Sequence, residues 1–144
     1  MHYACLPVGK QAVFYGVLIL KITILAACAG LLGTLLRFAA VKALGVLQVD
    51  FPLGTLAVNI IGAFIAGFAW NMLYKLCPQY SAFFPVLFIG FLGAFTTFSS
   101  FALESVRLLD SAEYGKFFLN IALQNIGGIG SAAGGFLLAK VIFR

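Results

Sequence analysis

Between Lys75 and Glu104 the chain runs for 28 residues, Leu76 to Leu103, without a charge. At about 1.5 Å of rise per residue this exceeds a hydrocarbon layer of about 30 Å, so it can cross a bilayer with tilt. Its middle is unlike a plain span. Gly90–Phe101 reads GFLGAFTTFSSF, with two glycines, two threonines and two serines among four phenylalanines. Gly90 and Gly93 weaken a helix, and hydroxyl side chains can take up backbone groups that a break frees. In hydrocarbon an unpaired amide or carbonyl costs several kcal/mol, so irregular backbone persists only inside protein or beside a hydrated cavity. The stretch therefore predicts a helix broken at or just after Gly93, with its carbonyls and the phenylalanines beyond turned inward. A face of small residues for helix packing is the competing reading.

The composition agrees with a membrane chain. Of 144 residues, 63% are hydrophobic and only 9% charged, against roughly 25% charged in soluble domains. The mean hydropathy is +1.11. The four acids, Asp50, Glu104, Asp110 and Glu113, fall at or near span ends, and the net charge of +5 suits headgroups. No basic stripe with interleaved aromatics points to nucleic acid. Cys5, Cys28 and Cys77 are scattered and His2 is the sole histidine, which argues against a disulfide framework or a zinc-type site.

Four spans are expected: 22–44, 53–73, 82–109 and 117–139. Residues 1–21 form an extension of doubtful status: a helical continuation of the first span, an interfacial segment, or a start placed too early. A signal peptide fits less well, because the apolar run passes Lys21 straight into a full span. Ala26, Gly30 and Thr34, and Ala29 with Gly33, put small residues four apart, as do Gly62–Ala66 and Ala63–Gly67; this spacing lets backbones approach. Arg37 stands at the far end of span one, at the headgroups or the floor of a wet vestibule. Asn59 interrupts an apolar span and must face the bundle or water. Trp70 and Tyr74 fit an interfacial belt. In span four, Asn120 and Gln124 share one face, as a polar stripe along a pore or as hydrogen bonds to a neighbouring helix.

Four crossings put Lys10, Lys21, Lys75, Lys140 and Arg144 on one side and Arg37, Lys42, Arg107 and Lys116 on the other. Five against four is almost no bias for the positive-inside rule to act on. The count suggests insertion in both orientations and pairing with an inverted copy.

Three motifs in order, Gly30-Leu31-Leu32-Gly33-Thr34-Leu35-Leu36-Arg37, Gly54-Thr55-Leu56-Ala57-Val58-Asn59-Ile60-Ile61-Gly62 and Gly90–Phe101, resemble those of the Fluc (CrcB) fluoride channels over about residues 22–144. The resemblance implies an all-α integral membrane fold, with four transmembrane helices and the third broken mid-membrane, assembled as an antiparallel, dual-topology homodimer. It implies passive fluoride export across the cell (inner) membrane, which protects the cell from fluoride. It also implies a structural, untransported sodium ion held by backbone carbonyls of Gly93 and Thr96. Carried over by position, Asn59 is the pore amide, Phe98 and Phe101 the pore aromatics, Ser99 and Ser100 nearby hydroxyls, and Arg37 the vestibule arginine. Many family members have threonine at the position of Ser100, and tyrosine and serine where Asn120 and Gln124 fall.

Fluoride is small and strongly hydrated, so a pore must replace its water with other donors. The Asn59 amide and the hydroxyls of Thr97, Ser99 and Ser100 are such donors, and the positive edge of a phenylalanine ring can approach an anion. Two other readings compete. A proton-coupled small multidrug-type transporter needs an intramembrane carboxylate, and only Glu104, late in span three, is available. A structural subunit that transports nothing explains the glycines but leaves Asn59 and the polarity of Gly90–Phe101 as unexplained cost.

Overall fold

The computed structural model describes residues 8–47 and 49–144. The chain is helical throughout, with four helices long and apolar enough to cross a membrane and no strand among the described residues. Helix α1 (Val8–Gly45) is 38 residues long, about 57 Å at about 1.5 Å per residue. It passes Lys21 without interruption, so the boundary expected at residue 22 is not a helix end. Lysine is a good helix former, and no proline stands in the way. Residues 1–7 of the expected extension, with His2 and Cys5, lie outside the described residues.

Helix α2 (Leu53–Leu76) returns alongside α1 from a loop that ends in Pro52. The third crossing (Pro78–Asp110) is built from several pieces. A 3₁₀ stretch (Pro78–Phe83) and Pro85 lead into a wide π turn (Val86–Leu92), then one α turn, α3 (Gly93–Phe95). Helix α4 (Phe98–Asp110) follows a break. The fourth crossing (Tyr114–Ile142) is α5 (Tyr114–Ala122), a second π turn (Leu123–Gly127) and α6 (Gly128–Ile142). Between α4 and α5 the chain reverses through Ala112 at φ 57°. There the Glu113 N–H donates to the Leu108 carbonyl (2.9 Å) and the Ala112 N–H to the Leu109 carbonyl (3.1 Å), closing the helix end in the manner of a Schellman motif.

Small residues set how closely these helices lie. Helix α2 packs chiefly on α6, and α1 on the first half of the third crossing. A Cβ on Gly90 would lie 2.6 Å from the Ala26 carbonyl oxygen, and one on Gly67 would run into the Ala132 backbone. The small-residue faces of spans one and two thus pack within the subunit as their spacing suggests. Polar side chains add cross-links: Asn71 Nδ2 donates to the Phe136 carbonyl (3.1 Å) and Ser131 Oγ to the Ile60 carbonyl (2.9 Å). Val58, Leu92, Phe95 and Phe101 form the buried centre, while Ile89, Ile126 and Ile129 face outward among many exposed apolar residues, as lipid requires. Trp70 and Tyr74 are half-exposed, with ring centroids 4.5 Å apart.

Gly67→Ala is expected to destabilise the purified protein by about 1–3 kcal/mol, because the α2–α6 backbones must separate. Gly130→Ala, with open space around it, should be neutral or raise stability by up to about 1 kcal/mol. Thermal unfolding in detergent compares the two.

Candidate functional site

The third crossing loses its helix at two residues. Thr96 (φ −87°, ψ 158°) and Thr97 (φ −151°, ψ 113°) are extended. This is later than expected, because Gly93 is still helical at φ −63°, ψ −31°. Glycine flexibility does not place the break. Two adjacent β-branched residues favour extended backbone, and a side chain from α2 receives the groups that are freed.

That side chain is Asn59. The Thr97 N–H donates to Asn59 Oδ1 (2.8 Å) and Asn59 Nδ2 donates to the Thr97 carbonyl (3.2 Å), so the amide pairs one residue as a neighbouring strand would. Nδ2 also donates to Gln124 Oε1 in the fourth crossing (2.9 Å). Beyond the break, Thr97 caps α4: its Oγ1 accepts the Ser100 N–H (3.2 Å), donates to Ser100 Oγ (3.1 Å) and lies 3.3 Å from Ser99 Oγ. On the near side, the Thr96 hydroxyl and N–H both donate to the Leu92 carbonyl, each at 2.9 Å.

The break takes the regular helical partners from the carbonyls just before it, those of Gly93 and Thr96 among them. The N–H four residues after Gly93 is that of Thr97, which is turned to Asn59. The N–H four residues after Thr96 is that of Ser100, which is turned to Thr97 Oγ1. Backbone oxygens at an unwound helix end are a hard donor set suited to a sodium-like cation. Among the described residues no cluster of His, Cys, Asp and Glu offers an alternative metal site.

A cleft of about 400 Å³ opens over the break. Asn59, Gln124, Thr97, Phe98 and Phe101 line it, as do Gly93 and Thr96, and none of the described acids does. The rings of Phe98 and Phe101 meet edge-on at 5.4 Å and 66°. Phe101 is buried, whereas Phe98 is 77% exposed and Gly93 is also exposed on the subunit surface.

Not every expected site residue reaches this cleft. Asn120 is fully enclosed between α4 and α5; its Nδ2 donates to Ser105 Oγ (3.0 Å), and Ser105 Oγ donates to the Phe101 carbonyl (2.8 Å). Ser99 and Ser100 belong to the cap at the start of α4 and do not line the cleft, and Arg37 is half-buried on α1, off the cleft wall. Sequence reasoning missed the pair in which buried Thr55 donates to Glu104 Oε1 (2.6 Å). A carboxylate in an apolar crossing demands a donor, and that demand was the available signal. Glu104 lines a depression with Phe51, Pro52 and Arg107, at the loop end of the bundle.

The chain thus combines four helices of membrane-crossing length with a third crossing that is broken and bonded across the break to an asparagine of the second. The family described as CrcB-like protein, Camphor Resistance (CrcB), matches residues 24–136. The chain is 39% identical over 117 residues to the fluoride-specific ion channel FluC of Legionella pneumophila (strain Lens), covering 81% of this chain and 87% of that protein. The FluC of Desulforapulum autotrophicum is also 39% identical over 117 residues, with 81% and 94% covered. That of Parabacteroides distasonis is 42% identical over 95 residues, with 65% and 72% covered. The chain belongs to the CrcB family, a family of ion channels.

Thr97→Val keeps the β-branch but removes the cap, and is expected to cost about 1 kcal/mol of stability. Faster amide exchange at Ser100, measured in detergent micelles, reports the lost bond directly.

Proposed function

We propose that this chain is a fluoride-selective channel through which fluoride leaves the cell passively across the cell (inner) membrane, and that two copies assemble antiparallel. The carrying observation is the cleft at the break, lined by the amides Asn59 and Gln124, by Thr97 and by Phe98 and Phe101, with none of the described acids among its lining residues. An amide donor replaces water that a small anion must shed, and ring edges present the positive part of the aromatic quadrupole. The relatives named fluoride-specific ion channels support the choice of anion. Arg37 would raise the anion concentration near a mouth of the pore.

The cleft is open on one side, and Phe98 on its lip is exposed, which suits completion by a second copy. A near-even distribution of basic residues across the two sides supports inverted pairing. The carbonyls of Gly93 and Thr96, freed of helical partners, would hold a structural sodium ion. That ion would supply positive charge to offset the negative end of the half-helix that stops at Phe95. Residues 1–21 are read as an extension to the channel domain at 22–144; the family match begins at residue 24. A proton-coupled transporter gains no support, because Glu104 sits by the loop end, bonded to Thr55, rather than midway through a crossing.

Purified protein in liposomes is expected to pass fluoride and not chloride. Phe98→Ile should cut fluoride flux severely while leaving dimer elution unchanged; Asn59→Ala should cut it too and also lower thermal stability, because it frees the Thr97 peptide groups. Wild-type conduction by both variants would remove the pore assignment. Replacing sodium by N-methylglucamine during purification and assay should reduce flux; equal flux in both media counts against a structural sodium ion.

A further inference from the structure

The hydrogen bonds at the break give the two amides different tasks. We propose that Gln124 presents the anion-binding N–H of this pore, and that Asn59 is a positioning residue that holds Gln124 in that orientation. This rests on the fluoride-channel reading and specifies which group meets the anion.

The orientation follows stepwise. The Thr97 backbone N–H can only donate, so the Asn59 atom facing it at 2.8 Å must be the oxygen. Asn59 then turns its NH₂ group to the Thr97 carbonyl and to Gln124. Both of its amide hydrogens are committed, and none is left for an ion. Because Asn59 donates, the Gln124 atom it meets at 2.9 Å must be Oε1. That leaves Gln124 Nε2 as the free end, and it is buried without a hydrogen-bond partner. A buried donor with no acceptor is costly, and here its residue lines the cleft shared with Phe98 and Phe101.

The three groups form a relay in which Thr97 N–H points to Asn59, Asn59 NH₂ to Gln124, and Gln124 NH₂ onward. Hydrogen bonds in such a chain polarise one another, so the last donor is strengthened by those behind it. The positive end of the relay is the only one left open. Gln124 also lies within the π turn Leu123–Gly127, a distortion of the kind often found at functional sites. Asn120, one turn earlier, is fixed the other way. Its Nδ2 is held by Ser105 and its unpaired atom is Oδ1, an acceptor that would repel an anion. The anion therefore meets the fourth crossing at Gln124 rather than at Asn120.

The test is fluoride efflux from liposomes with Gln124→Met, which keeps the length but removes both amide atoms, and Gln124→Glu, which keeps an acceptor for Asn59 but exchanges the donor for a negative charge. With dimer elution and thermal unfolding unchanged, each is expected to lower flux by about tenfold or more. Asn59→Ala releases Gln124 from its orientation and, unlike an aspartate at this position, places no carboxylate in the cleft. It should lower flux in the wild-type background and add little in the Gln124→Met background, a coupling that a purely structural role would not produce. Conduction by folded Gln124→Met within about twofold of wild type would falsify the proposal, as would losses that simply multiply in the double variant. Either result leaves the channel reading standing if the wild type conducts fluoride; a folded wild type that does not conduct it removes both.

Discussion

A crossing whose backbone comes apart inside hydrocarbon survives only if the peptide groups it frees find partners. Here the amide and carbonyl of Thr97 find theirs in one side chain, Asn59, across 38 residues of sequence. The rest of the architecture serves that contact. Asn59 reaches the break because α2 lies close to it, and α2 is fixed by its glycine-mediated fit against α6. The first half of the third crossing is pressed just as closely onto α1 at Gly90. Bulk at either contact shifts a helix, and a hydrogen bond of about 3 Å tolerates little shift.

What the break leaves over gives it chemical character. One polar system runs through Thr97, Ser99, Ser100, Asn59 and Gln124, with its donors spent on one another except the Gln124 amide nitrogen, beside a cleft bordered by aromatic rings. The other product is the run of backbone oxygens just before the break, those of Gly93 and Thr96 included, whose helical N–H groups are turned elsewhere. Donors on one side and bare acceptors on the other separate the partial charges of a single interrupted helix. An uninterrupted one would have cancelled them internally.

Much of this was legible in the sequence. Uncharged runs of the right length fixed four crossings, and the polar interior of Gly90–Phe101 marked the one that breaks. Asn59 stood out because an amide in an apolar span must have partners. The position of the break was less legible, because Gly90 and Gly93 look like breakers, whereas Gly90 serves close packing and Gly93 remains helical. The start of α1 was left open, with a helical continuation among the readings, because a lysine flanked by apolar helix formers interrupts hydropathy without interrupting hydrogen bonding. Asn120 and Gln124 looked alike on one helical face, and only the facing side chains distinguish them: Ser105 encloses the first and Asn59 orients the second. Long-range pairings of this kind leave no local signature.

The two π turns carry a further consequence. A turn closed by bonds to the fifth residue rather than the fourth takes in roughly one extra residue, so everything beyond it is rotated by about 100° from where an even helix would put it. The segment that packs Gly135 on α2 lies beyond one such turn, and the segment entering the break lies beyond the other. Both halves of the bundle thus depend on a phase offset written as a single added position. A wheel diagram drawn through either crossing would assign its far end to the wrong neighbour.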